Sequence, residues 1–210
     1  MIAKFALLCS LASSHQDAKG EHIATVLPFY SQGGTETSIA SLKKVQSTFI
    51  EKAGYKILTD SKVQEIWNED SINRQRKLKL TPKDYFYDLP RLSKMLEIGR
   101  KTKSEIVVAY RAKFHDETAW QGIGPKTKVM VTVDVKIANC ETGELELDAT
   151  NIRMNGSVQQ SLTRTAAEIL LTTDLVALIG GGPVTPLYEK HGITALSLAM
   201  EPWLKLKLKS

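Results

Sequence analysis

The chain has 210 residues, 42% hydrophobic and 24% charged, with a formal charge of +5. That length suits one domain, or one domain with an appendage, and thirteen glycines and seven prolines exclude a low-complexity chain. Two cysteines, Cys9 and Cys140, exclude a disulfide framework or a four-cysteine zinc site, and no apolar run of about 18 residues predicts a transmembrane helix.

Residues 1–20 read as a short secretion signal or as a disordered, mis-started terminus. Lys4 gives the positive start, residues 5–12 are mostly apolar, and Ala12, Ser13 and Ser14 offer small side chains at cleavage spacing. Leu8 sits where lipid attachment to Cys9 would need a small residue, so no lipidation is expected.

Residues 22–29 (HIATVLPF) read as a buried strand closed by Pro28. A glycine loop at 31–35 leads into a helix with Ile39, Leu42, Val45, Phe49 and Ile50 on one face, stopped by Gly54. Residues 55–59 form a second strand. Asp60 or Ser61 then caps a helix, with Gln64 completing a capping box and Val63, Ile66 and Trp67 inward. After a polar stretch at 70–82, helical spacing returns through Leu92, Met95 and Leu96, followed by a strand over 105–114.

The clearest signal is the alternation of Val129, Val131, Val133, Val135 and Ile137 with Met130, Thr132, Asp134 and Lys136. Period two over nine residues means a strand with one face on the core and the other towards water. A turn at 139–143 starts the antiparallel return strand through Leu145, Leu147 and Ala149, and a phase shift puts a bulge near Thr150. Asn155, Gly156 and Ser157 read as a turn. Ser157 would cap a long helix over Val158, Leu162, Ala166, Ile169 and Leu170, ended by the glycines at 180–182 and Pro183. The tail, with its lysine–leucine alternation at 204–209, is expected as an extra strand, a partner-binding strand or a loose extension.

The order is β-α-β-α-(α)-β-β-β-α: an α/β fold with a single mixed sheet and packed helices, anticodon-binding-domain-like. The expected domains are 1–20 as signal or disordered terminus, 21–182 as the α/β domain and 183–210 as a C-terminal extension.

Four phrases in this order carry a family likeness: residues 23–29 (IATVLPF), 55–63 (YKILTDSKV), 103–108 (KSEIVV) and 133–144 (VDVKIANCETGE). They make the chain resemble bacterial envelope domains such as the TolB amino-terminal domain, the curli-secretion lipoprotein CsgG and the lipoproteins that activate penicillin-binding proteins. The resemblance spans about residues 22–180. It implies an exported, periplasmic or envelope protein with protein partners, a homo-oligomer among them, and no enzymatic activity. The tail has no counterpart in it.

No catalytic, cofactor-binding or metal-binding residues are assigned. His115, Asp116 and Glu117 are neighbours that cannot converge from a strand, and a turn is expected there. His191 reads as solvated, and Cys140 as a small turn residue without a base. Gly33 and Gly34 lack the spacing of a phosphate loop and read as a turn. Residues 70–113 hold twelve basic and five acidic side chains. Candidate partner-binding residues are Tyr85, Phe86, Tyr87 and Trp120 on loops, beside Arg74, Arg76, Lys77 and Lys79. The alternative is a cytoplasmic nucleic-acid-binding module using the basic stretch 74–103.

Overall fold

Alternating aliphatic residues in the long strands decide where sheet and helices meet. The computed structural model describes residues 21–68, 89–121, 124–159 and 184–209. Within them the elements run β1 (Ile23–Val26), β2 (Tyr30–Gln32), α1 (Glu36–Lys52), β3 (Lys56–Ile57), α2 (Asp60–Asn68), α3 (Leu92–Thr102), β4 (Ile106–Gln121), β5 (Gly124–Asn139), β6 (Leu145–Gln159) and α4 (Thr185–Lys207). The fold is the expected mixed α/β class. One open sheet has the order β3-β1-β4-β5-β6, with β2 also pairing with β4. β1, β2 and β3 pair in parallel, while β4, β5 and β6 form an antiparallel meander.

The sheet separates two apolar layers. On one side Val129, Val131, Val133, Val135 and Ile137 meet Leu42 and Ile50 of α1 and Leu196, Met200 and Trp203 of α4. Each such side chain contributes about 1.5–3 kcal/mol when fully buried. On the other side Val107, Ala109 and Ala138 pack with Val63 of α2 and Met95 and Ile98 of α3. Two glycines set the spacing of these layers. A Cβ on Gly192 would lie 2.9 Å from Leu42 Cδ1, and one on Gly99 would lie 2.1 Å from Cys140 Sγ.

Local chemistry explains the helix ends. The Thr35 hydroxyl accepts from Ser38 N at 3.2 Å, and the Ser38 hydroxyl accepts from Thr35 N at 3.0 Å, a capping box at the start of α1. Gly54 ends it at φ +89. At α2 the expected Ser61–Gln64 box is replaced by Thr59. Its carbonyl accepts from Val63 N and its hydroxyl from Lys62 N, because the chain turns one residue before Asp60.

Several expectations are corrected. Asn155, Gly156 and Ser157 are strand residues of β6, opposite Met130, Val129 and Lys128. Ser157 therefore caps no helix, since ladder pairing to β5 outweighs the local turn propensity. Residues 162, 166, 169 and 170 and the 180–183 stop lie outside the described residues. The tail is a 23-residue helix rather than a strand or loose extension. Tyr188, Gly192, Ala195, Ala199 and Trp203 recur at helical spacing and are buried, which overrides the short lysine–leucine alternation. The strand expected at 105–114 continues to Gln121. Trp120 is thus a strand residue opposite Pro125, and His115 to Glu117 are paired with Met130 to Lys128 instead of turning. The first strand stops at Val26, and β2 resumes beside β4 four residues later, at Tyr30.

Candidate interaction surface

The three long strands define two faces by parity. Asp116 and Gly156 face α4: the Tyr188 hydroxyl donates to Asp116, and His191 of α4 packs against Gly156. Gly156 is the small residue that admits this ring, since a Cβ would lie 2.0 Å from His191 Nε2. His191 is therefore half-buried, not solvated, and burial, with Lys190 nearby, lowers its pKa.

The opposite parity carries His115 and Glu117 of β4, Lys126, Lys128 and Met130 of β5, and Asn155 and Ser157 of β6. These side chains line a concavity of about 570 Å³. Helices α2 and α3 cover this side of the sheet only around Val107, Ala109 and Ala138. Among the described residues no helix lines the concavity. His115, Glu117, Lys128, Asn155 and Ser157 are exposed there, and they carry no hydrogen bond or ion pair among the described residues.

Between the covered and uncovered parts lies a buried polar joint. Asp134 accepts from Arg111 Nε and, at 2.6 Å, from Asn151 N. Asn151 has φ +63 and belongs to the bulge where the ladder steps from Val133–Ile152 to Val135–Ala149. The bulge lies where the sequence phase shifts, near Thr150. The half of β5 expected to face water is thus partly closed: Thr132 and Asp134 are buried, and Lys128 is exposed.

A second depression of about 340 Å³ lies among Val26, Pro28, Asp60, Ser61, Val63 and Gln64, at the carboxyl end of the parallel strands. Open α/β sheets bind nucleotides at such places. Here the chain fills the crevice beside β4 itself, since Leu27 N donates to Val108 O at 2.8 Å and β2 pairs with Arg111 to Lys113. Gly33 and Gly34, at φ +72 and +82, lie against Phe114; Cβ atoms there would come within 2.7 and 2.6 Å of it. Their role is close backbone approach, and the capping box uses the Ser38 amide in the first turn of α1.

The remaining reactive side chains serve packing. Burial raises the Cys140 thiol pKa against the opposing Arg100 charge, and the sulfur sits against Gly99. His22 Nδ1 contacts Glu105 at 2.7 Å. Among the described residues no three His, Cys, Asp or Glu side chains converge as a metal site.

Of the partner-binding candidates, Trp120 lies at the end of β4 opposite Pro125, with the register parity of Asp116 and not of His115 and Glu117. Tyr85, Phe86, Tyr87, Arg74, Arg76, Lys77 and Lys79 lie outside the described residues, as do residues 1–20. In the described part of the basic stretch, Lys94 and Lys101 both pair with Glu97, at 3.0 and 3.4 Å. Sequence reasoning missed Lys126, Lys128, Asn155 and Ser157 as surface partners of His115. The off-core phase of the Val129–Ile137 alternation was the available signal.

These features define an open mixed α/β sheet domain that leaves part of one sheet face uncovered by its described helices. No protein-family model and no curated protein sequence matches the chain. Similar solved structures include lipoprotein GNA1162 of Neisseria meningitidis, 11% identical, with 71% of this chain and 95% of that one covered at TM-score 0.37. The LpoB C-terminal domain of Salmonella enterica is 15% identical, covering 66% and 83% at TM-score 0.34. A minor lipoprotein of Acinetobacter baumannii is 9% identical, covering 90% and 93% at TM-score 0.35. At these TM-scores the likeness assigns no role to any residue.

Proposed function

We propose that this chain is a non-catalytic domain of the bacterial cell envelope that works by binding other proteins. The face of β4, β5 and β6 that no described helix covers is the contact surface. One observation carries this reading: exposed polar side chains without a partner among the described residues line a concavity of about 570 Å³ built on paired strands. Groups held on paired strands meet a partner with little ordering cost, which favours recognition. The envelope compartment is supported by the resemblance of the four ordered phrases and by the signal-like character of residues 1–20. Those phrases fall on β1, on β3 with α2, on the approach to β4, and on β5 with its turn.

The face suits this role better than the outer edge of β6. The bulge at Asn151 and the exposed Arg153 interrupt that edge, as protected edges are interrupted elsewhere. Trp120 at the end of β4 has the register parity of Asp116 and not of His115, so it, Tyr85 to Tyr87 and the basic residues 74–79 are contact candidates separate from this face. The test is capture of partners from envelope extract by the wild-type chain and by a His115→Ala, Lys126→Glu, Lys128→Glu variant. Capture should fall at least about tenfold with an unchanged melting temperature, as for hot-spot residues. Full retention by the variant overturns the assignment.

A further inference from the structure

The described residues expose three large aliphatic side chains, and all lie on or beside α4: Leu198, Leu206 and Leu208, at 54%, 66% and 67% of full exposure. The inward side of the helix is ordinary core, with Leu196, Met200 and Trp203 buried against β5 and β6. The leucines are therefore a separate feature of its outer side. Leu198, Pro202 and Leu206 are spaced four residues apart, which aligns them in a ridge about 12 Å long. Leu208 follows at the helix end.

Lysines interleave with this ridge. Lys205 and Lys209 are exposed, and Lys205 also reaches Glu201 at 3.3 Å. Lys207 turns the other way, to Glu146. Its ammonium helps hold the helix to the sheet, leaving Lys205 and Lys209 beside the leucines. Lysine near a helix carboxyl end also complements the helix dipole, but the dipole gives no reason for exposed leucine.

We infer that the carboxyl-terminal half of α4 docks on an anionic lipid surface. The leucine ridge would enter the headgroup boundary, with Lys205 and Lys209 on lipid phosphates. The combination fits this occupant by charge and shape. Shallow apolar insertion gains from Leu198 and Leu206 on the ridge and from Leu208 at the helix end, and each lysine near a negatively charged bilayer strengthens binding about fivefold. The ridge lies on the helical layer, whereas the concavity lies on the opposite side of the sheet. One molecule could therefore hold a membrane and a protein partner together.

The experiment is co-sedimentation of the full chain with phosphatidylglycerol–phosphatidylcholine vesicles and with pure phosphatidylcholine vesicles, at low and high salt. Wild type should bind the anionic vesicles at least about tenfold better, losing the preference at high salt. A Leu198→Ser, Leu206→Ser, Leu208→Ser variant should lose at least about tenfold in binding while keeping its circular dichroism and melting temperature. A Lys205→Glu, Lys209→Glu variant should lose the anionic preference alone. Equal binding by wild type and leucine variant overturns the inference, because attachment then runs through another segment such as residues 5–12. So does absence of vesicle binding, or self-association of wild type that the leucine variant abolishes without a change in vesicle binding.

Discussion

The indole nitrogen of Trp203 donates to the Glu146 carboxylate at 2.8 Å, pinning the last turns of α4 to the start of β6. Lys207 Nζ and Asn139 Nδ2 reach the same carboxylate at 2.8 and 2.7 Å. Trp203 also stacks with Tyr55, which follows α1, at 6.3 Å between ring centroids. The tail helix is thus tied to the sheet and to the first helical layer at one point. Burial alone would raise the Glu146 pKa, but these three donors outweigh it and hold the carboxyl below its ordinary value.

Glu146→Gln is expected to lower stability by about 1–3 kcal/mol, because charge-assisted hydrogen bonds are lost around a half-buried lysine. The sign of the pH effect follows from the lowered pKa. The carboxylate contribution is complete above the ordinary value of 4.5 and disappears as pH falls through the lower folded value. Urea denaturation of wild type and variant should therefore differ most near neutral pH and converge in acid. A difference that persists unchanged at pH 2 contradicts this.

Asp134→Ala should cost about 3 kcal/mol, since it strips the carboxylate from the mostly buried Arg111 and from the Asn151 amide. Amide hydrogen exchange should rise at Asn151 and its neighbours ahead of the rest of β6. Protection that stays intact around the bulge would show that Asp134 does not hold it.

Gly99→Ala should destabilise by about 1–3 kcal/mol through overpacking, because its Cβ would fall 2.1 Å from Cys140 Sγ and 2.9 Å from Val107 Cγ2. Cys140→Ala in the same chain should recover part of that loss. A thermal-unfolding double-mutant cycle reads the coupling, expected at about 0.5 kcal/mol or more. Additive effects would contradict the contact.

Gln46 is buried on α1, and its side-chain nitrogen has no acceptor among the described residues. Replacement by leucine removes an unpaired donor at nearly constant volume. A gain of about 1 kcal/mol is expected in denaturant midpoint analysis. A loss of stability would mean that the amide has a role in α1 packing.

The fold was legible where one pattern dominated. Val129 to Ile137 gave the central strand and its core face, the phase shift gave the bulge near Thr150, and Gly54 gave the end of α1. Misreadings came where local and distant signals competed. Asn155, Gly156 and Ser157 carry turn chemistry, yet pairing with β5 keeps them extended. Residues 204–209 alternate like a strand, while the spacing from Tyr188 to Trp203 is helical and buries far more apolar surface. The candidate face was less legible. His115, Lys128 and Asn155 are far apart in sequence, and only strand register places them side by side.

The central claim is recognition through the uncovered face, and site-specific photo-crosslinking in living cells tests it most directly. A photoreactive residue replaces Lys128 on that face or, as a control, Lys44, exposed on α1 across the sheet. A discrete protein adduct from position 128 and none from position 44 is the predicted result. Equal adducts from both positions, or none from position 128, would contradict it.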